Sequence, residues 1–339
     1  MKILEKFPQV KNKINRIVNS GEWHEQIITD TTSCAPAVFN QAGQPMHFFY
    51  LKDDICSHHP YSFSSPQYSV TQHIIWDRYN KALPVHFYTH DNIFHSYPYC
   101  EKKFGLLIES EAIVPSDYEN VYNRREVISD YTGLFTHSYK LLERYPNAKF
   151  IPGGGVWYGS EVGGGTIDKE LYQKKTKNIS LISSEKTMCD LHQYRKDMAF
   201  HFKNTGLVDT YGTFDGGAMI KAGDSLTDYR YSIAIENFIS PYYFTEKIMN
   251  CFASMTIPIY IGATEIEKFF NADGIIKINQ MDFNDLDKII EKCCKEDYEE
   301  RIEAVIDNFN RVQKYICYED YLFEEYSDII LSQNKSKMV

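Results

Sequence analysis

The 339 residues contain no Cys-x-x-Cys pair, and the eight cysteines (Cys34, Cys56, Cys100, Cys189, Cys251, Cys293, Cys294 and Cys317) are scattered. A disulfide framework and a thiolate zinc ribbon are therefore excluded, and reduced thiols are expected. No stretch approaches the roughly 18 uncharged apolar residues of a membrane helix. The opening MKILEKFPQVKNKINRIV carries charges every few residues instead of an apolar signal core, so a cytoplasmic location is expected. The closing NKSKMV adds two lysines, which allow peripheral contact with the inner face of a membrane at most. There is no Gly-Lys-Ser/Thr phosphate loop and no GxGxxG between a strand and a helix. Basic charge is also short: 36 Lys and Arg against 46 Asp and Glu leave a formal charge of −10, which argues against nucleic acid as a partner.

What remains is a folded chain, 43% apolar and 24% charged. Its length suggests about two domains. Aromatics are abundant, with 26 Tyr, 21 Phe and 3 Trp. Such rings suit sites that stack on bases or on the faces of sugars.

Short apolar runs predict strands over 46–51, 84–88, 104–108, 132–136 and 148–151, with helices over 2–18 and 138–145. Residues 152–165, PGGGVWYGSEVGGG, interrupt the pattern. They read as a hinge or, alternatively, as a direct ligand contact. A second set follows, with strands over 178–183, 207–211, 231–235, 257–261 and 274–278. Helices are predicted over 191–204, 242–254, 283–294, 297–314 and 318–332. The expected fold class is α/β: a first domain over 1–160, a second over 161–312, and a C-terminal helix and tail over 313–339.

Polar residues are densest at 229–262. Glu236 and Asn237 follow an apolar strand, and Thr245, Glu246 and Lys247 stand near a helix start. Strand ends and helix N-termini favour anions, and a lysine there adds a positive charge suited to a phosphate. Glu246 suits the hydroxyls of a ribose. The alternative is plain capping, with Ser240 as N-cap, Pro241 in the first turn, and Glu246 and Lys247 as surface charges. Asp285 and Asp287 are expected to open a helix, and the irregular spacing of His86, His90 and His95 does not suggest a metal site.

This stretch resembles the signature of the α1,3/4-fucosyltransferases of glycosyltransferase family 10. That pattern runs Phe-Glu-Asn-Ser, then Tyr-x-Thr-Glu-Lys, a helix, and Pro-Val/Ile-x-x-Gly. Here it reads Ile235-Glu236-Asn237-Phe238, Tyr243-Phe244-Thr245-Glu246-Lys247 and Pro258-Ile259-Tyr260-Ile261-Gly262. Upstream, Ser183-Ser184, Arg195 and Val208-Asp209-Thr210-Tyr211-Gly212 are similar too, so the likeness covers about 178–280.

The resemblance implies a GT-B fold, two Rossmann-like domains around a cleft, and an inverting enzyme that moves L-fucose from GDP-β-L-fucose to a hydroxyl of a glycan, in surface polysaccharide or lipopolysaccharide synthesis. It places the donor at Arg195, Asn237, Tyr243, Glu246 and Lys247, with no metal and no cofactor beyond the GDP-sugar substrate. Its general base is a glutamate after a strand of the first domain, which gives Glu109 with Glu111 as its rival, although Glu111 stands where proline is usual; the alternative is that both are solvated loop acids. Ile235 and Phe238 depart from the pattern and leave room for another nucleotide sugar. A non-catalytic nucleotide- or glycan-binding relative is the further alternative.

Overall fold

A computed structural model describes residues 38–40, 42–53, 71–159, 165–168 and 171–332. The helix predicted over 2–18 and part of the glycine-rich stretch, 160–164, lie outside the described residues. The chain forms two parallel sheets. The first comprises β1 (His47–Lys52), β2 (Ile74–Asp77), β3 (Val85–Thr89), β4 (Lys102–Leu107), β5 (Gly133–Thr136) and β6 (Ala148–Phe150), in the order 2-1-3-4-5-6. The second comprises β7 (Lys177–Ile182), β8 (Asp209–Tyr211), β9 (Tyr229–Ile235), β10 (Ile257–Ile261) and β11 (Ile276–Lys277), in the order 11-10-9-7-8. All ladders between these strands are parallel. Two such α/β units facing one another are the GT-B arrangement.

Parallel strands are covered on both faces, so they read as continuous apolar runs. β3 and β10 are buried along their whole length. β4 is also fully buried, although it opens with two lysines. Lys102 is accommodated because its ammonium donates to the carbonyls of Ile329 (3.1 Å) and Ile330 (2.8 Å), at the end of the helix Tyr318–Leu331. A cation at a helix C-terminus satisfies carbonyls that have no intrahelical donor.

That last helix docks on the first sheet, not on the second that precedes it. Trp76 Nε1 donates to Glu319 Oε1 at 3.2 Å, and Asp320 Oδ1 accepts from the Gln72 and His73 amides at 2.7 and 3.3 Å. The chain end thereby ties the two units together. The second unit has its own buried lysine: Lys175 Nζ lies within 3.2 Å of the carbonyls of Leu226, Thr227 and Tyr229 and of Thr256 Oγ1.

Some boundaries differ from those expected. The helix predicted over 242–254 is Glu246–Ala253. Tyr243 and Phe244 are buried aromatics in the loop before it, and Thr245 is the cap: its hydroxyl accepts from the Lys247 amide. Ser240 is therefore not the N-cap, and Pro241 is not the first helical residue. The helix Phe283–Ile290 is capped by Asp282, while Asp285 pairs with Lys288 and Asp287 with His201. The span 297–314 is broken at Arg301 into Lys295–Glu300 and Ile302–Val312.

Candidate functional site

The carboxyl ends of the two sheets meet. β4 leads into Ile108 and Glu109, and β9 leads into Glu236 and Asn237. Across the gap Asn237 Nδ2 donates to Glu109 Oε1 at 3.1 Å. One loop further on each side, the rings of His137, after β5, and Tyr243 lie 4.5 Å apart.

On the second unit, Glu236 is fully buried and organises the helix start. Its Oε1 accepts from the Thr245 amide (2.8 Å) and its Oε2 from the Thr245 hydroxyl (2.7 Å). Lys247 Nζ lies 3.3 Å from Glu236 Oε2, and donates to Glu246 Oε1 at 3.1 Å and to Thr245 Oγ1 at 3.0 Å. Its three N–H bonds thus face three oxygens. Burial lowers the Lys247 ammonium, but Glu246 and Glu236 outweigh it and hold it above the ordinary lysine value. Burial pulls Glu246 up, yet Lys247 prevails and its carboxyl ends below the usual range. Glu236 is raised, by burial, against the pull of Lys247. Glu246 and Lys247 keep about a fifth of their side chains accessible, at 20% and 23%. They are not ordinary surface charges.

Gly262, at the end of β10, makes the arrangement possible. A Cβ there would stand 2.2 Å from the Tyr260 hydroxyl and 2.5 Å from Glu236 Cγ. The glycine-rich stretch approaches the same place. A Cβ on Gly153 would meet Tyr243 Cε2 at 2.9 Å and Thr245 Cγ2 at 3.0 Å, and the Gly153 amide donates to Phe244 O. Asn250 anchors the next residues, since its Oδ1 accepts from the Trp157 and Tyr158 amides at 2.7 and 2.9 Å. The described part of the stretch is thus fastened to the helix Glu246–Ala253.

Arg195 reaches the site from the helix Asp190–Thr205. One guanidinium nitrogen donates to Ile235 O at 3.1 Å, while its Nε has no hydrogen-bond partner among the described residues. Burial lowers its pKa, with Glu236 and Glu246 opposing. His192, three residues earlier and on the same face, was not anticipated. It is buried, its Nδ1 has no hydrogen-bond partner among the described residues, and burial together with Arg195, Lys247 and Lys186 lowers it to about 4. The three-residue spacing from Arg195 was the available signal. Asn237 Oδ1 is likewise buried without a hydrogen-bond partner among the described residues. Buried polar atoms are nearly always paired, and these three lie together at the end of β9 and on the helix Asp190–Thr205.

The two candidate bases have different surroundings. Glu109 faces Asn237 and the second unit. Glu111 turns back into the first unit, where it accepts from Ser138 Oγ at 2.6 Å and lies 3.6 Å from Lys140 Nζ. Tyr243 is only 2% exposed and packs on His137 and, edge-on, on Phe238.

His137 gives the site a measurable pH response. Burial, with a smaller push from His90, lowers its imidazole to about 3. An unfolded histidine titrates near 6.5, so below that value the unfolded chain binds a proton that the folded chain refuses. Stability present above about pH 6.5 is therefore lost as pH falls toward 3, at up to about 1.4 kcal/mol per pH unit from this residue. In urea titrations at neutral and mildly acidic pH, His137→Gln is expected to lose less stability on acidification than the parent. Identical acid losses would show that His137 is not the group responsible.

Residues of the second unit that contribute to this cluster lie within a stretch similar to known proteins. Residues 172–302 match the family model described as glycosyltransferase family 10 (fucosyltransferase) C-term. Over 66 residues the chain is 35% identical to the alpha-(1,3)-fucosyltransferase FucT of Helicobacter pylori, a match covering 20% of this chain and only 13% of that protein. Among solved structures, an alpha1,3-fucosyltransferase with GDP is 14% identical, with 78% of this chain and 82% of that one covered and a TM-score of 0.48. TarM is 12% identical, with 73% and 55% covered and a TM-score of 0.49.

Proposed function

We propose that this chain, whose residues 172–302 match the glycosyltransferase family 10 model, is an inverting glycosyltransferase that moves L-fucose from GDP-β-L-fucose to a hydroxyl of a glycan. The observation that carries the reading is the 3.1 Å contact between Glu109 and Asn237, which sets a carboxylate of one unit against the signature residues of the other. A donor bound at 236–247 has its sugar beside that carboxylate.

The charges of the site suggest how the donor enters. Lys247 is already saturated by Glu246, Glu236 and Thr245, so a diphosphate must displace one of them. Glu246 is the replaceable partner, because Glu236 is buried and held by two bonds from Thr245. When Glu246 turns to the ribose hydroxyls, Lys247 gains a free N–H direction for the diphosphate, and Arg195 offers its unpartnered Nε. Both cations then oppose the negative charge that grows on GDP as it leaves. Glu109 takes the proton from the acceptor hydroxyl while that oxygen attacks the anomeric carbon and the bond to the β-phosphate breaks. Attack opposite the leaving group turns a β-linked donor into an α-linked product.

A panel of GDP- and UDP-sugars, scored by donor hydrolysis and by transfer, tests the assignment. GDP-fucose is expected to give the highest kcat/KM. A higher value for another donor would move the chain to a different nucleotide sugar, a shift for which Phe238 beside Tyr243 is the structural candidate.

A further inference from the structure

We propose that His90 is a positioning residue for Glu109, with Asp117 holding its ring, an inference that rests on the reading of Glu109 as the base. His90 follows β3 and has a φ of +50°, in the left-handed region that a non-glycine residue rarely adopts. That conformation directs a buried imidazole at the main chain just beyond β4, the segment that carries Glu109. His90 Nε2 accepts from the Ile108 amide at 3.4 Å and from the Glu109 amide at 3.2 Å.

A ring nitrogen that accepts carries no proton, so the proton of the neutral ring is assigned to Nδ1. Nδ1 stands 3.1 Å from Asp117 Oδ2, next to that carboxylate though outside hydrogen-bond alignment. The Glu109 carbonyl is held as well: the Tyr118 hydroxyl donates to it, and His137 Nε2 lies 3.4 Å away. With both peptide groups of Glu109 fixed, only its side-chain torsions remain free to bring the carboxylate to Asn237. Misplacing a reacting group by about 1 Å can cost on the order of 100-fold in rate, so a clamp on this peptide acts on the chemical step. A purely structural role would alter stability and donor affinity with no selective effect on turnover.

The test uses His90→Gly, which keeps the left-handed backbone and removes the acceptor, and His90→Asn, which tolerates that backbone and restores a side-chain carbonyl. Asp117→Asn serves if His90→Gly does not fold. Each is assayed for kcat and KM with GDP-fucose and for GDP affinity by calorimetry, beside Glu109→Gln. The expected result is a loss in kcat of about tenfold or more in His90→Gly, with GDP affinity within about twofold of the parent and partial recovery in His90→Asn. Asp117→Asn is expected to lose kcat in the same direction. Unchanged kcat in folded His90→Gly, or in Asp117→Asn where it stands in, overturns the proposal, as does a kcat loss matched by an equal loss of GDP affinity. If Glu109→Gln itself retains turnover, the base assignment fails first. If Glu109→Gln is inactive while the folded His90 variant is intact, only the positioning role fails.

Discussion

Replacing Lys247 by Met is expected to abolish measurable GDP binding, a loss of about 100-fold or more in affinity. The ammonium is the centre of the cluster, within 3.3 Å of Glu236, Glu246 and Thr245. Removing it deletes one of the two cations available to a diphosphate and leaves two carboxylates facing the ligand. Part of any loss would come from the protein itself, because stripping the partner from a buried carboxylate destabilises by several kcal/mol. The double variant Glu236→Gln with Lys247→Met separates the two effects. A neutral amide still accepts from Thr245, so folding is expected to recover while GDP affinity stays lost. GDP binding at parental affinity in the folded double variant would remove Lys247 from the donor site.

The second large effect is on turnover. Glu109→Gln is expected to lower kcat by about 100- to 10,000-fold, the range in which a positioned base contributes, with GDP affinity within about twofold of the parent. Glutamine fills the same space, and its side-chain carbonyl can still accept from the Asn237 and Ser110 nitrogens that now bond to Glu109 Oε1. What it cannot do is take a proton. Glu111→Gln is expected to keep most of the parental kcat, because that carboxylate is spent on Ser138 and lies beside Lys140, away from the second unit. Equal losses in the two variants would contradict the assignment.

The sequence revealed those parts of the fold in which local pattern and burial coincide. β3, β9, β10 and the helix Asp190–Thr205 were legible because buried parallel strands are unbroken apolar runs and the long helix has a regular apolar face. β2, Ile-Ile-Trp-Asp, is too short to register. The helix Pro115–Asn123 is mostly polar and buries only Tyr118 and Val121, so its periodicity is faint. The apolar pattern places the start of the helix Glu246–Ala253 too early because buried Tyr243 and Phe244 extend it, whereas Thr245 and Glu236 set its true beginning by hydrogen bonds made nine residues apart.

The candidate site divides in the same way. Arg195, Asn237, Glu246 and Lys247 stood in a recognisable spacing. His90 did not, since a lone histidine in a short turn carries no pattern, and the spacing of His192 from Arg195 marks a shared helix face without assigning the ring a role. The choice between Glu109 and Glu111 also lay beyond spacing, since it turns on which carboxylate meets Asn237 from the other unit.

The site proposed for the nucleotide is open to direct observation in a crystal structure of the protein soaked with GDP. The expected density places the diphosphate within hydrogen-bond distance of Lys247 Nζ and the Arg195 guanidinium, with Glu246 turned from Lys247 to the ribose. A nucleotide bound elsewhere, with Glu246 still on Lys247 and Arg195 Nε still unpartnered, would contradict the account.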